Sequence, residues 1–386
     1  MAQEKAQAKV NYRDVLVINP GSTSTKIAVF ERKHTDPILK TNLVHDEETI
    51  LAFPSIVSQK DYRYQSILQW LTRCQYDLDR LCCVIGRGGM LKELELGGYA
   101  VNDYLVERLS DDRLPRHAST LGGLLARIFA DRLHIPAFIY DAPLSCKIND
   151  ISKITGIASL QKYGQVHVLN MRAMSREYAR TLGKPYEDLN IICCHMGGGI
   201  TCCAQQKGDI IDTSSYDEGP MSPERSGGVP LILFKQLCFD GRHKEEEVES
   251  LISGRGGLYS YLGTKDCREV EKRIEGGDDY ALLIYRAMAY QVAKSIAQMT
   301  VSLEGKVDAI LLTGGIAHSV MLTDMIRQYA GHLGTITVMP GEKEMEALAE
   351  GAYRMMDGKE PVKTLLPSGK SQPSSVSAAG AGGDRK

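Results

Sequence analysis

The sequence predicts an α/β protein with two related domains. Strand-like apolar runs alternate with helix-length amphipathic stretches, which is typical of parallel-rich sheets covered by helices. The alternation occurs in two comparable series, one on each side of residues 142–155, where the chain changes character. A chain of 386 residues also exceeds what one hydrophobic core usually serves. Together these observations predict two α/β domains with a cleft between them.

The first series opens with the apolar runs VLVI and IAVF, whose length and branching indicate two short buried strands joined by a polar turn. After them the pattern predicts a helix over 61–80, the strand LCCVIG, a helix over about 119–134 and the strand AFIYD, which ends at Asp141. The second series predicts a helix near 171–182, the strand NIICCHM, the hairpin ITCCAQQKGDIIDTS, a long helix over 279–303, the strands AILLTGG and TITVMP, and a last helix over about 343–356.

The charge balance bears on the class of partner. The chain has 46 basic and 48 acidic side chains and a formal net charge of −2, which argues against nucleic acid or an anionic membrane as the main partner. Its first residues lack the apolar core of a signal peptide, and no run of 18 apolar residues occurs. We therefore expect a cytoplasmic protein without a membrane span.

Ten cysteines include three adjacent pairs, Cys82-Cys83, Cys193-Cys194 and Cys202-Cys203. Adjacent cysteines lack the spacing with which zinc sites chelate one ion, and these pairs lie within apolar runs. They are interpreted as small buried apolar residues in a reducing compartment. A zinc site that includes His195 is the weaker alternative.

Three glycine-containing turns each follow an apolar strand: INPGSTSTK, HMGGGIT and LTGGIAHS. Glycine lets a backbone approach a ligand closely, and successive N–H groups and hydroxyls can surround a phosphate. The first turn does not have the Walker spacing of a P-loop. One such turn is commonly structural, but three after three strands predict a nucleotide site.

Six segments resemble, in order and at compatible spacing, the motifs of the butyrate kinase family: NPGSTSTKIAVFE, GRGG, RHASTLGG, HMGGGI, EGPMSPERSGG and LLTGGIAHS. The family belongs to the acetate kinase group of the acetate/sugar kinase, heat-shock chaperone and actin superfamily, and the resemblance covers about residues 15–359. It implies two duplicated actin-like ATPase domains, each a mixed five-stranded sheet with flanking helices, around a central nucleotide cleft.

The resemblance also implies the domain boundaries. Residues 1–143 with 344–366 would form an N-terminal acyl-kinase domain, and residues 144–343 a C-terminal domain that binds nucleotide and forms a homodimer or higher homo-oligomer. Residues 367–386 are rich in Ser, Gly and Ala without apolar periodicity, so we expect a disordered tail.

The implied reaction phosphorylates a carboxylate, which is ionised at pH 7 and needs no general base. Because both reactants are anions, catalysis should depend on cations and positioned donors. By similarity, Arg87 would hold the carboxylate or acyl phosphate, while Arg225 and His167 would stabilise the phosphoryl group. Considered alone, such arginines are commonly surface or salt-bridge residues, and such a histidine a core or capping residue. His117 matches either a substrate loop or a helix cap.

The resemblance implies Mg²⁺ near Asn19, Asp141 and Glu344, although Glu342 and Glu346 are close alternatives to Glu344. Asp141 is also expected among the catalytic residues, where it would place Mg²⁺ or the phosphoryl group. Contacts to ATP or ADP would come from the three turns and from the segment TKDCREV. These residues are Ser22, Ser24, Lys26, His195, Gly197, Gly198, Gly199, Asp266, Arg268, Gly315, Ile316, Ala317, His318 and Ser319.

The function expected from these motifs is an acyl kinase with a short-chain carboxylate or acyl phosphate as partner, ATP + butyrate = ADP + butyryl phosphate. An acetate or propionate kinase is the alternative within this chemistry, because sequence sizes the acyl pocket poorly. The loop DTSSYDEGP is shorter than the family's usual loop, which bears on chain-length preference. A catalytically silent nucleotide sensor and a sugar kinase with Asp141 as base rank lower.

Overall fold

The computed structural model describes residues 14–32, 34, 36–111, 113–114, 117–367 and the backbone of 371–373. The chain forms two compact units. One unit comprises Met1–Ser145 and Glu344–Lys386, and the other comprises Cys146–Lys343.

The described residues contain thirteen strands: β1 (Asp14–Pro20), β2 (Ser24–Phe30), β3 (Leu39–Val44), β4 (Leu81–Arg87), β5 (Gly98–Ala100), β6 (Ala137–Tyr140), β7 (Ile191–Met196), β8 (Ile200–Gln206), β9 (Asp209–Ser214), β10 (Ala309–Gly314), β11 (Ile336–Pro340), β12 (Val362–Leu365) and β13 (Ser371–Pro373). The α-helices are α1 (Glu47–Leu51), α2 (Lys60–Arg73), α3 (Asp103–Leu109), α4 (Thr120–Leu133), α5 (Asp150–Lys153), α6 (Val168–Thr181), α7 (Leu231–Cys238), α8 (Glu245–Ile252), α9 (Gly257–Leu262), α10 (Cys267–Glu275), α11 (Asp279–Ser302), α12 (Val320–Ala330) and α13 (Glu344–Met356). Short 3₁₀ helices cover Val57–Gln59, Leu78–Arg80, Tyr186–Asp188, Gly315–His318 and Gly331–Leu333.

Both units contain the same five-strand arrangement. In the first unit β1, β2 and β3 are antiparallel, β4 is parallel to β1, and β6 is parallel to β4. In the second unit β7, β8 and β9 are antiparallel, β10 is parallel to β7, and β11 is parallel to β10. The predicted α/β fold with two related domains is therefore confirmed.

The first sheet differs from the expected five strands. It has eight, in the order β13-β12-β5-β6-β4-β1-β2-β3, while the second has five, in the order β11-β10-β7-β8-β9. The additional strands β5, β12 and β13 extend the edge beyond β6, where the chain that follows α13 pairs with β5. Residues 371–373 thus form a paired strand instead of the expected irregular tail, because β12 offers its backbone groups to a neighbour. Residues 368–370 and 374–386 of that tail lie outside the described residues.

Burial explains the central strands. Every residue of β1, β7 and β10 is buried, as expected for strands covered on both faces. The helix α11 places Ala281, Tyr285 and Met288 in the core of the second unit, at the three- and four-residue spacing of one helix face. Asp278 caps this helix by accepting a hydrogen bond of 2.9 Å from the Ala281 N–H.

The predicted helix over 61–80 ends earlier, at Arg73. Gln75 has a φ of 53°, a left-handed conformation that ends the helical path. The chain then makes the separate 3₁₀ turn Leu78–Arg80, where Asp77 accepts a hydrogen bond of 3.0 Å from the Asp79 N–H.

Five of the six paired cysteines are core residues, as predicted, and the sixth, Cys82, is half-buried. Cys193, Cys194, Cys202 and Cys203 are fully buried on β7 and β8, and none of the ten cysteines forms a disulfide. Burial raises the pKa of Cys203 to about 12. Within residues 14–367, the described side chains of His, Cys, Asp and Glu form no group of three that could hold a metal ion, so the alternative zinc site lacks support. No helix in the described part of the chain is both long and apolar enough to cross a membrane.

Candidate active site

The predicted site residues lie in two groups, one in each unit. In the first unit, β1 and β2 form the expected hairpin, in which Asn19 pairs directly with Lys26. The turn closes with a hydrogen bond of 2.8 Å from the Gly21 N–H to the Ser24 carbonyl. Ser22 and Lys26 are exposed and Ser24 is half-buried, so the turn offers hydroxyls and an ammonium group to an anion.

Glu344 joins the ends of two central strands of this sheet. Its Oε2 accepts a hydrogen bond of 2.7 Å from Asn19 Nδ2, at the end of β1. The same oxygen lies 3.3 Å from Arg87 Nη1, at the end of β4. The two alternatives to Glu344 have different surroundings. Glu346 Oε1 lies 3.7 Å from Lys40 Nζ, and Glu342 belongs to the other unit.

Close backbone packing places Arg87. A Cβ on Gly122 would lie 2.3 Å from the Arg87 carbonyl oxygen, and one on Gly86 would lie 2.1 Å from the Gly122 carbonyl oxygen. Glycine at both positions therefore lets the end of β4 touch the first turn of α4. Arg87 Nε is buried and has no hydrogen-bond partner among the described residues.

Asp141 follows β6 in a left-handed conformation, with a φ of 43°. Its N–H donates to the Gly97 carbonyl at 3.1 Å, and its Oδ1 accepts from the Gly97 N–H at 2.8 Å. A non-glycine residue in this region stores strain and persists where its surroundings hold it. The predicted metal-associated carboxylate is thus buried and fixed at the end of a strand.

His117 lies in the loop that enters α4. Its Nδ1 accepts a hydrogen bond of 3.2 Å from the Ser119 N–H and lies 2.7 Å from Ser119 Oγ. These contacts hold the loop before α4, whose N-cap is Ser119, and both predicted roles of His117 stay predictions.

In the second unit His167 immediately precedes α6, as predicted. Its ring stacks on that of His195, with centroids 4.0 Å apart and planes inclined by 18°. His167 Nδ1 and Thr201 Oγ1 share a hydrogen bond of 2.9 Å. The stack fixes two imidazoles beside the turn HMGGGIT.

Asn170 sets the tautomer of His195. Its Oδ1 accepts a hydrogen bond of 2.9 Å from the Lys343 N–H, which identifies the other atom as the amide nitrogen. That nitrogen lies 2.9 Å from His195 Nδ1 and must donate to it. The imidazole proton of neutral His195 is therefore on Nε2, 3.3 Å from where a Cβ on Gly197 would be.

Arg225 packs on the same glycine turn. A Cβ on Gly199 would lie 2.3 Å from Arg225 Nη1, so only glycine lets the guanidinium approach this closely. Ser222 Oγ donates a hydrogen bond of 2.6 Å to the Gly198 carbonyl and so connects the loop that carries Arg225 to the turn. The guanidinium lies 5.4 Å from the Tyr216 ring centroid.

Arg225 has no direct ion pair among the described residues. Its Nε is buried without a hydrogen-bond partner, and no carboxylate of the described residues forms an ion pair with its guanidinium. Burial lowers its pKa, since desolvation disfavours the charged form, while Glu224 and Tyr216 act in the opposite direction.

The third turn is the 3₁₀ helix Gly315–His318, followed by Ser319. Gly314, with a φ of 92°, would place a Cβ 2.3 Å from the Met196 carbonyl oxygen, so β10 and β7 touch where both turns begin. Ser319 Oγ caps α12 by accepting from the Leu322 N–H at 2.9 Å and donates to Glu271.

Asp266 and Arg268, at the start of α10, contact each other. Arg268 Nη2 lies 2.7 Å from Asp266 Oδ2, and this pairing together with the Arg268 N–H lowers the pKa of Asp266 to about 2. Glu271, one turn later on the same helix, connects this segment to Ser319. The structure therefore links two of the predicted nucleotide segments through a residue that had not been predicted.

Sequence reasoning missed several residues that hold the candidate site together, above all Asn170, Ser222 and Glu271. Ser222 lies within the quoted motif SPERSGG and could have been selected from it. Asn170, three residues after His167, lies on the same helix face, and that spacing was the available signal.

Two comparisons relate the chain to known proteins. The profile described as Acetate_kinase, the acetokinase family, matches residues 141–346, which is more than half of the chain. The solved structure of an acetate kinase from Porphyromonas gingivalis is similar, with a TM-score of 0.73 and 18% identity over 88% of this chain and 99% of that one. So is a propionate kinase from Francisella tularensis subsp. tularensis SCHU S4, with a TM-score of 0.68 and 20% identity over 88% and 98%. An acetate kinase from Entamoeba histolytica has a TM-score of 0.71 and 18% identity over 88% and 99%. At these identities the structures establish a shared fold.

Proposed function

The chain belongs to the acetokinase family, and we propose that it catalyses the specific reaction ATP + butyrate = ADP + butyryl phosphate. Membership of this family supports the more general activity, that of a phosphotransferase that uses ATP and has a carboxylate as acceptor. Acetate or propionate is the alternative acceptor.

The observation that carries the proposal is Arg225. Its guanidinium is half-buried, its Nε is buried without a hydrogen-bond partner, and no described carboxylate pairs with it directly, so a ligand that supplies negative charge would offset the cost of desolvation. It touches the glycine turn HMGGGIT, whose first residue, His195, stacks on His167. A cation and two imidazoles fixed beside an anion-binding turn suit a phosphoryl group in transfer.

The reaction requires no general base. An oxygen of the ionised carboxylate forms a bond to the γ-phosphorus while the bond from phosphorus to the β,γ-bridging oxygen breaks, and ADP leaves as an anion. Arg87 holds the acceptor carboxylate in this scheme, and Arg225 and His167 stabilise the oxygens of the transferred group. Sugar kinases use a carboxylate base, which this acceptor makes unnecessary.

The oxygen ligands that Mg²⁺ prefers are present at the predicted positions, as the side chains of Asn19, Asp141 and Glu344. Asn19 and Glu344 are already joined by a hydrogen bond of 2.7 Å, and Asp141 is fixed by Gly97. Mg²⁺ commonly keeps several waters and binds few protein groups, so a dense carboxylate cage is unnecessary. When bound with ATP, the ion would neutralise phosphate charge.

The choice between acyl chains rests on two opposing indications. The segments SPERSGG and TGGIAHS resemble the butyrate kinase motifs. The solved structures reported above are acetate and propionate kinases, which favours the shorter acceptors. We propose butyrate because the motif details distinguish the groups, whereas the similarity of the structures is one of fold.

A homodimer through the second unit is part of the proposal. Large exposed apolar side chains concentrate in residues 146–343, while the described part of the first unit has only Ile38, Val44 and Leu51. At α7, Leu231 is 77% exposed and Phe239 is 81% exposed. An exposed apolar patch of this kind indicates an interaction surface. Leu231→Asp with Phe239→Asp should lower the mass measured by light scattering to that of a monomer, and Leu51→Asp should not.

The reaction is tested by trapping acyl phosphate as hydroxamate. The protein is incubated with Mg-ATP and, separately, acetate, propionate, butyrate, isobutyrate or valerate. We expect the highest kcat/KM with butyrate or isobutyrate, and a maximum with acetate or propionate would establish the alternative. Absence of product with every acid, despite measurable ATP binding, would overturn the kinase and favour a nucleotide sensor. The ten cysteines, none of which forms a disulfide, support the proposal of a reducing location such as the cytoplasm.

A further inference from the structure

Arg63 is a fully buried arginine behind the first glycine turn, at the fourth position of α2. Its guanidinium donates to the carbonyl oxygens of Gly21, Ser24 and Ser22 at 2.8, 2.9 and 2.7 Å. One side chain thus holds three of the carbonyls in the turn between β1 and β2.

The remaining contacts of Arg63 are also to neutral oxygens. Nη1 donates to Thr25 Oγ1 at 3.0 Å, and Nε and Nη2 donate to Gln59 Oε1 at 3.1 and 2.9 Å. Among the residues that the structure describes, no carboxylate forms an ion pair with Arg63. Burial lowers its pKa to about 10, so the side chain remains charged at neutral pH.

The turn transmits this charge outward. In a trans peptide the C=O and the following N–H point in opposite directions. Because the carbonyls of Gly21 and Ser22 face Arg63, the N–H groups of Ser22 and Thr23 face away from it, on the exposed side of the turn. The positive ends of these peptide dipoles therefore point where an anion would bind.

Stability alone does not explain a buried cation with no counter-ion. Such a charge is expensive to desolvate, and a neutral donor such as glutamine could satisfy part of the same carbonyls without that cost. The cost is offset when a ligand brings the opposite charge close to the site.

We propose that Arg63 is a positioning residue for the nucleotide phosphates. It fixes the turn that carries Ser22 and Ser24, and its buried charge acts through the turn on the bound polyphosphate. This inference rests on the proposed function, since it assumes that the first turn binds the phosphates of ATP and ADP. It adds a residue outside the six motif segments, on a helix that does not itself contact the ligand in this scheme.

The test is nucleotide binding by the full chain, measured by calorimetry for ADP and by competition for adenosine, which lacks phosphates. Arg63→Gln retains donors to the turn but removes the charge, so we expect ADP affinity to fall at least tenfold while adenosine affinity changes less than twofold. Arg63→Lys retains the charge, and its ADP affinity should fall less than that of Arg63→Gln. Arg73→Gln, which changes an exposed arginine on the same helix, is the matched control and should bind ADP like the unaltered protein.

Three results would overturn the role. One is a folded Arg63→Gln protein whose ADP affinity stays within twofold, and another is an equal loss for ADP and adenosine, which would indicate general disturbance of the fold. Failure of both Arg63 variants to fold would assign Arg63 to stability and also overturn it. Because binding is measured without turnover, an Arg63-dependent ADP affinity in a protein that forms no acyl phosphate would refute the proposed reaction and leave this inference standing.

Discussion

The side-chain amide of Asn19 donates a hydrogen bond of 2.7 Å to the Glu344 carboxylate, across 325 positions of sequence. The same carboxylate oxygen lies 3.3 Å from Arg87 Nη1. The first residue of α13 therefore fixes the side chains at the ends of β1 and β4, two of the strands that carry the candidate site.

Removing the charge of Glu344 tests this relationship. Glu344→Gln keeps the size of the side chain but weakens its hold on Arg87 and, in the proposed role, on Mg²⁺. Since a charged hydrogen bond contributes about 1.5–3 kcal/mol, kcat/KM for the carboxylate should fall roughly 10- to 100-fold. The Mg²⁺ concentration for half-maximal rate should also rise. Glu346→Gln, which disturbs only the pair with Lys40, is the matched control, and equal effects in the two variants would contradict the assignment.

Arg225→Ala should mainly affect the chemical step. Loss of a cation that stabilises the transferred phosphoryl group costs about 2.7–4 kcal/mol, so kcat should fall roughly 10²- to 10³-fold. The KM for ATP should change little, because ground-state binding depends on other contacts. The values of kcat and KM are measured by steady-state kinetics. The control variant is Arg242→Ala, which changes an exposed arginine of the same unit. If instead the KM for ATP rises by a similar factor while kcat is unchanged, Arg225 is a binding residue and the assignment is contradicted.

Asn170 should control the proton of His195. Asn170→Asp still accepts from the Lys343 N–H but cannot donate to His195 Nδ1, so the imidazole proton should move from Nε2 to Nδ1. ¹⁵N NMR of labelled histidine reports the two tautomers directly. We expect kcat/KM for ATP to fall about tenfold, at the lower end of the roughly 10- to 100-fold effect of a group that orients a ligand-binding histidine. Detection of Nδ1–H in the unaltered protein would contradict the hydrogen-bond assignment.

His45 should make stability depend on pH. Burial, and secondarily the charge of Arg63, lower its pKa to about 4, whereas an unfolded chain has a histidine pKa of about 6.5. As the pH falls, the unfolded state therefore binds a proton at His45 before the folded state does. The stability that is present above pH 6.5 is lost as the pH falls toward 4. By linkage this amounts to about 2 kcal/mol between pH 7.5 and pH 5. Urea unfolding at both pH values should show the loss, and His45→Gln should reduce it; an equal loss in the variant would assign the effect to other groups.

The sequence patterns that predicted structure well were local ones. The runs VLVI and IAVF became the paired strands β1 and β2, because branched apolar residues flanking a glycine turn specify a hairpin over a short distance. The helix over 61–80 was too long because the left-handed conformation of Gln75, which has no Gly or Pro signal, ends it.

The supporting residues of the site were harder to predict because their partners are distant. Glu342, Glu344 and Glu346 are equivalent in sequence, and only the contact with Asn19 distinguishes the central one. Arg63 resembles any basic residue of an amphipathic helix, since nothing in its neighbours shows that it is buried. Motif resemblance therefore selects the groups proposed to touch the ligand, while three-dimensional contacts reveal those that hold them.

The most direct test of the carboxylate kinase is ATP formation from Mg-ADP and butyryl phosphate, followed by luciferase. We predict rapid ATP formation by the unaltered protein and by Arg242→Ala, and a rate lower by about 10²- to 10³-fold for Arg225→Ala. If the protein binds ADP but forms no ATP from butyryl, propionyl or acetyl phosphate, the proposed reaction is wrong.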